Sequence, residues 1–477
     1  MRHYRQKGAR MKRYEIFDAE AGRINALLAP IIACWDVTQR CQQTCIFCYN
    51  PSDLRDGRKR ISHPNIEHQL RIIDELARAG IIEIDLMGGD PLSIPPETLK
   101  ILVARAVEQG MLVNVVTNGI GAGLRFRKEV APLIKDIGFS IHGSNPETHN
   151  RIVGVPAFEI AVGNLVEVAR TTKCGVGVLF SAIRSNMSEL EATVRMVIER
   201  LGEHREKLRF FYLNRMVCHE GTNAGSNKSE TNITLQEHWE LIKTLIRMKR
   251  EFPWVSFETT DSFPSCVIAK LYAQDVEFKK QFTLEETLAA IGVCYFGKTN
   301  IAIKANGDAT ICTISREEHA IENILRVPLR RIWAGALLSL YHSLKWMPES
   351  CSPCDYLARC LGACKMGKKG PFGIDRVFGE DDVPMLRESA ATSEEVVLSK
   401  LTVDGDEFRI RKEQEGHLVY PVGKGRIFRP HQAAIVSERE LEGLKEGHAG
   451  TVKQLRILLK GRPKPIAVQK LQRAHLG

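Results

Sequence analysis

The chain has 477 residues, with 67 Lys and Arg against 57 Asp and Glu, a formal charge of +10. That length leaves room for about three domains around sizeable cores. A composition of 44% hydrophobic and 26% charged residues excludes a disordered or fibrous chain. No segment approaches the roughly 18 uncharged apolar residues of a membrane helix, and no signal-peptide pattern is recognised; the expectation is a cytoplasmic protein without a membrane partner. The positive charge is local. Residues 1–13 hold six bases and no acid, and residues 451–477 hold seven bases and no acid, which leaves 54 bases against 57 acids in the body. A nucleic-acid substrate is therefore not expected, because the body brings no excess of phosphate-binding charge.

In chain order, residues 1–30 read as a basic, solvated N-terminal extension. Six apolar runs then alternate with amphipathic ones: strands are predicted at 31–37, 81–86, 111–116, 137–141, 176–180 and 208–212, and helices at 65–79, 96–109, 125–134, 156–171 and 188–201. Strand–helix units in succession predict an α/β fold with a parallel sheet. Six units are too few for a closed eight-stranded barrel, so an open, partial (β/α)6 barrel is expected over 31–230, its chemistry at the ends where strands run into loops. A helical bridge is expected over 231–290. A small cysteine-rich domain follows over 291–385, with a hairpin turn at Asn306-Gly307-Asp308. An acidic, linker-like stretch over 379–395 leads to a small α+β C-terminal domain over 400–477. There, strands are predicted at 408–411, 417–422 and 426–428, and helices at 432–444, 451–459 and 465–476.

Thirteen cysteines, an odd number, argue against a disulfide framework. Nine fall into patterns. Cys41, Cys45 and Cys48 form C-x3-C-x2-C; Cys294 and Cys312 flank Gly307 as C-x12-G-x4-C; Cys351, Cys354, Cys360 and Cys364 form C-x2-C-x5-C-x3-C. Such spacing lets several thiolates from short loops converge on one centre. Structural zinc is the alternative, but it favours two cysteine pairs, whereas three thiolates on a four-iron cluster leave one iron open for an exogenous ligand. Cys34, Cys174, Cys218 and Cys266 are isolated and read as small buried hydrophobes.

With these motifs, residues 31–365 resemble the radical S-adenosylmethionine (SAM) superfamily, and within it the SPASM-domain subgroup. C-Q-Q-T-C-I-F-C follows the first strand, with aromatic Phe47 before the last cysteine. The resemblance implies a 4Fe–4S cluster on Cys41, Cys45 and Cys48 whose open iron chelates SAM, and which cleaves it to a 5′-deoxyadenosyl radical. Gly88-Gly89-Asp90-Pro91 resembles the G-G-E-P motif that meets the methionyl ammonium, with Asp in place of Glu. Asn118 after the third strand, Ser140 and His142 after the fourth, and Arg151 beyond them fall where relatives contact the ribose and carboxylate of SAM. The resemblance also implies one or two auxiliary 4Fe–4S clusters, one on Cys294, Cys312 and Cys364, the other on Cys351, Cys354 and Cys360. The family's closing cysteine is missing, since none follows Cys364. Asp381 or Asp382 is expected to supply an oxygen ligand in its place.

SPASM enzymes mostly act on peptides or proteins, and relatives that mature sulfatases carry an Asp after the cysteine equivalent to Cys312. Here Thr313 stands there, which argues against that activity. The C-terminal domain resembles the RiPP recognition element, which binds a leader peptide as an added edge strand; Lys453, Arg456 and Lys460 are expected to hold an acidic leader at its rim. The implied function is hydrogen abstraction from a precursor peptide in ribosomal-peptide (RiPP) maturation, as crosslinking, epimerisation or oxidation, by an oxidoreductase that draws electrons from a flavodoxin or ferredoxin. Two alternatives stay open: an enzyme of this type acting on a small cofactor precursor such as a tetrapyrrole, and a non-enzymatic iron–sulfur or zinc protein. Cys218, His219 and Cys266 are candidates near the active-site mouth, and no catalytic acid or base is legible.

Overall fold

The computed structural model describes residues 11–50, 63–216, 222–260, 263–315, 319–364, 366, 398–414, 416–422 and 433–460. The strands, in chain order, are β1 (Lys12–Arg13), β2 (Phe17–Asp18), β3 (Arg23–Ile24), β4 (Ile32–Thr38), β5 (Glu83–Gly88), β6 (Leu112–Thr117), β7 (Asp136–Ser140), β8 (Gly175–Ala182), β9 (Leu208–Arg215) and β10 (Ser256–Thr259). They continue with β11 (Asn300–Ile303), β12 (Asp308–Thr310), β13 (Ala320–Asn323), β14 (Ser399–Val403), β15 (Asp406–Glu413), β16 (Gly416–Pro421) and β17 (Ala434–Val436). β4 to β10 lie side by side in parallel. Every residue of β4 and β8 is buried, which is why these strands read as continuous apolar runs rather than alternating ones.

The crossover helices follow from local signals. The helix Ile66–Ala79 starts at Asn65, whose side chain accepts the Glu67 N–H, and stops at Gly80, which adopts a left-handed φ of 79°. The expected helix at 125–134 is shorter, Leu124–Glu129, followed by a 3₁₀ turn over Ala131–Leu133 that begins with Pro132 at its second position. No single described helix is long and apolar enough to cross a membrane.

Two expected boundaries move. The bridge over 231–290 contains a seventh parallel strand, β10, on the open edge of β9. Its four residues alternate between half-buried and buried, so it offers no apolar run to recognise. The cysteine-rich segment is not a separate layer either. β11 pairs in parallel with β4, and β12 and β13 continue the sheet antiparallel, making ten strands with edges at β10 and β13.

The C-terminal domain is a five-stranded antiparallel sheet in the order β1-β17-β16-β15-β14, covered by the helices Glu438–Lys445 and Ala449–Lys460. The expected helix at 432–444 begins as strand β17, and only Ser437, with a capping box to Glu440, starts the helix. The strand expected at 426–428 and the helix at 465–476 lie outside the described residues. The N-terminal stretch is not a solvated extension where it is described: β1 pairs with β17, and Met11 is buried among Val436, Leu455 and Leu459. The two charged residues of β1 disguised a segment whose apolar neighbours, Met11 and Tyr14, point inward.

This domain docks on the base of the barrel, where the parallel strands begin. Arg411 is fully buried: its guanidinium donates to the carbonyls of Pro30 (2.6 Å), Gly80 (2.9 Å) and Ala29 (2.9 Å) and pairs with Glu413 (2.6 Å). Arg409 donates to Gly110 O at 2.8 Å, and Tyr420 OH to Glu83 at 3.2 Å. Glu83 and Asp85 share Asn114 between them, at 2.6 and 2.8 Å. Burial first, and then the neighbouring Glu83, push the Asp85 carboxyl above the ordinary carboxylate range.

Two outcomes follow. Arg411→Ala leaves three buried carbonyls and Glu413 without their cation, and is expected to cost about 3–5 kcal/mol, read in chemical unfolding. Because Asp85 keeps its proton in the folded state at pH values where the unfolded chain has lost it, its contribution falls as pH rises above the ordinary carboxylate range. Asp85→Asn should therefore gain stability relative to the parent as pH is raised from 5 to 8 in parallel melts.

Candidate active site

The cysteine loop, residues 41–48, leaves the end of β4 and is clamped from three sides, two of them by main chain and the third by side-chain amides. Gly89 N–H donates to Thr38 O and Asp90 N–H to Arg40 O, both at 2.7 Å. On the second side, Thr44 N–H and Ile46 N–H donate at 3.0 Å to the carbonyls of Val153 and Ile152, at the end of the helix Pro146–Val153. On the third, Asn223 and Asn227 donate to the carbonyls of Cys45 and Ile46, each at 3.0 Å. Gly88 and Gly89 are required here by contact with the protein itself: a β-carbon on Gly88, whose φ is +115°, would lie 2.5 Å from Thr38 O, and one on Gly89 2.1 Å from Arg40 O.

The Asp90 carboxylate is buried and engaged. It accepts from the Asn118 N–H (2.6 Å), the Leu92 N–H (2.8 Å) and Thr117 Oγ1 (3.0 Å), and so ties the end of β6 to the turn after β5. Asn118 in turn donates to Gln42 Oε1 (3.0 Å) and Cys41 Sγ (3.5 Å). His142 Nδ1 accepts the Ser181 N–H at 3.2 Å, and the edge of Phe47 meets the imidazole at 4.7 Å between centroids. Burial, and after it His149, hold His142 well below its ordinary value, so the ring is neutral with its proton on Nε2.

These elements enclose a cavity of about 330 Å³. The strand ends and their loops line it with Cys41, Cys45, Cys48, Phe47, Gly88, Gly89, Asn118, Ser140 and His142, and the cysteine-rich segment with Cys294, Cys312 and Cys364. Tyr341 is buried beside this second group, and burial followed by those three sulfurs pushes its hydroxyl well above the usual range. Three expected site residues lie outside the lining. Asp90 is consumed by the contacts above. Pro91 opens a buried 3₁₀ turn, and Arg151 is exposed on a helix whose last carbonyls, rather than its arginine, serve the loop. Cys351, Cys354 and Cys360 are also away from the cavity. Cys218, His219, Asp381 and Asp382 lie outside the described residues.

Other lining residues had not been singled out: Tyr212, Asn214 and Arg215 at the end of β9, Glu258 and Thr259 on β10, and Tyr295. Thr260 donates to Asn214 Oδ1 at 2.7 Å, and Asn214 to Ser181 Oγ at 3.4 Å, a polar chain across the ends of β8 to β10. The polar residues that close β9, Asn214 and Arg215, were the available signal. Glu258 is the one carboxylate among the described residues that line the cavity.

Among the described residues, no three Cys, His, Asp or Glu side chains converge on the point a single ion would fill. Cys41, Cys45 and Cys48 stand along one loop at the cavity wall, and three thiols on a short loop are a donor set that fits a multi-iron cluster, in which each thiolate takes its own iron.

Residues 35–197 match the radical SAM superfamily, and residues 294–355 match SPASM, an iron–sulfur cluster-binding domain. The chain thus carries a radical SAM domain followed by a SPASM domain. It is 25% identical over 350 residues to a PqqA peptide cyclase of Ruegeria pomeroyi, covering 71% of this chain and 83% of that one. To the mycofactocin maturase MftC of Mycobacterium tuberculosis it is 25% identical over 350 residues, covering 71% and 79%. The fold is similar to that of Streptococcus suis SuiB bound to its precursor peptide SuiA, with a TM-score of 0.56 and 16% identity over 73% of this chain and 75% of that one. In this chain, then, the three-cysteine loop of the radical SAM domain and the first SPASM cysteines share one cavity.

The clamp can be tested. Gly89→Ala drives a methyl into the Arg40 carbonyl and should sharply reduce the iron retained by the Cys41 loop and the SAM affinity seen in titration calorimetry. Arg151→Ala should leave both within about twofold of the parent, as expected of an exposed side chain away from such features.

Proposed function

We propose that this chain is a radical SAM/SPASM enzyme that abstracts hydrogen from a ribosomally made precursor peptide. The observation that carries this is the shared cavity: a substrate held there lies between the Cys41–Cys45–Cys48 loop and the group Cys294, Cys312 and Cys364. The likeness to a peptide cyclase and a maturase supports a peptide as the substrate class.

Cys41, Cys45 and Cys48 would hold a 4Fe–4S cluster, and the Gly88–Gly89 turn, Asn118, Ser140 and His142 the SAM molecule. Bound there, cluster and SAM supply one-electron cleavage of a sulfonium and hydrogen abstraction at carbon. The chain's own residues do the rest. Asn118 sets the loop against the strand ends, Phe47 and neutral His142 present an apolar, uncharged wall, and Glu258 stands where a proton leaving the substrate can be taken up. Electrons come from a small donor such as a flavodoxin or ferredoxin.

The C-terminal domain sits at the opposite end of the strands from this cavity. Strands of six to eight residues, at about 3.3 Å per residue, separate the two ends by roughly 20 Å. A peptide held as an added strand on that domain must therefore place its modified residue at least about six residues from its recognition segment. β1 already fills the edge beside β17, so among the described residues the edges of the sheet are the two-residue β1 and the longer β14. In the expected basic rim, Arg456 is paired with Asp404 (3.2 Å) and Asp406 (3.1 Å), while the side chain of Lys460 lies outside those described.

With dithionite and SAM under anaerobic conditions, the reconstituted chain should form 5′-deoxyadenosine, and Cys45→Ala should form none; equal yields from both would refute the assignment. Co-expression with the short peptides encoded beside its gene should yield a mass change in one of them. Glu258→Gln should keep 5′-deoxyadenosine formation and lower peptide product by about 10²-fold or more.

A further inference from the structure

The cysteines of C-x2-C-x5-C-x3-C do not stay together. Leu361, Gly362 and Ala363 take φ values of 45°, 82° and 54°, a reversal that turns Cys364 back to the cavity and parts it from Cys360. Cys351, Cys354 and Cys360 remain on a loop docked against the segment 263–291. Tyr356 packs on the cluster that includes Ile268, Leu271 and Tyr272 of the helix Ser265–Gln274. Arg359, on the other side of the loop, donates to the carbonyls of Ile291 (3.1 Å) and Leu288. The first turn of that same helix carries Cys266.

We propose that Cys266 is the fourth thiolate of a 4Fe–4S cluster whose other ligands are Cys351, Cys354 and Cys360, in place of a closing cysteine that the sequence lacks. The sulfurs are within electrostatic reach of one another. Cys266 lies close enough to Cys360 and Cys354, and Cys351 to Cys354, Cys360 and Cys266, for their charges to interact. The reading of residue 266 as an inert buried thiol is thus replaced; it is in fact exposed.

This inference rests on the iron–sulfur reading of the SPASM domain and is tested apart from catalysis, on the anaerobically reconstituted full chain, by iron and sulfide content and by EPR of the dithionite-reduced protein. Cys266→Ser should lose up to about four irons per chain, as Cys351→Ala does, or keep them with an altered auxiliary signal. Cys266→Asp, which retains a ligand, should recover the iron with a shifted signal. All three should still cleave SAM at the Cys41 loop. Iron and EPR of Cys266→Ser identical to the parent would overturn the assignment, as would iron loss in Asp381→Ala/Asp382→Ala with none in Cys266→Ser. A parent chain holding only about four irons would overturn both this assignment and the auxiliary-cluster reading.

Discussion

The whole arrangement depends on one close approach of backbone to backbone. The chain leaving β4 and the turn after β5 are joined by two 2.7 Å bonds, with no room for a side chain between them. Cys41 begins directly beyond that contact. A loop carrying three reactive thiols has little apolar surface with which to fix itself, so its position has to come from hydrogen bonds to elements that are already rigid. The buried Asp90 carboxylate extends the clamp to β6, and Asn118 carries it back to Cys41 and Gln42. A side chain that the family pattern assigns to the cofactor is, in this structure, part of the frame that aims the cysteines.

The same economy shapes the rest. β11 joins β4 at the edge of the parallel sheet, so the first SPASM cysteines inherit the rigidity of the barrel instead of hanging from a linker. At the base, Arg411 fastens the C-terminal sheet to the starts of β4 and β5. Its value lies in leaving no main-chain carbonyl buried and unpaired, since a lone buried ion pair is weak support. The C-terminal sheet and the cavity are thereby held at opposite ends of the parallel strands, and a peptide that used both, as proposed, would have to bridge them.

Much of this was legible in the sequence. Strands buried along their whole length read as runs, and the C-x3-C-x2-C loop sits behind the first of them. Other features were hidden for physical reasons. β10 is a four-residue edge strand with alternating burial, so Glu258 looked like part of a helical bridge. β1 is two charged residues whose apolar neighbours do the packing. The partners of Asp90 come from β6, a relation that spacing along the chain does not reveal. Cys266 looked isolated because the cysteines it approaches arrive much later in the chain, brought by the docking of Tyr356 and Arg359.

The central claim is that a peptide carbon donates its hydrogen within the cavity between the two cysteine groups. The most direct measurement is the mass of the 5′-deoxyadenosine formed when the chain turns over a perdeuterated precursor peptide encoded beside its gene. The account predicts a gain of one deuterium together with a modified peptide. Unlabelled 5′-deoxyadenosine accompanying a modified peptide would contradict it.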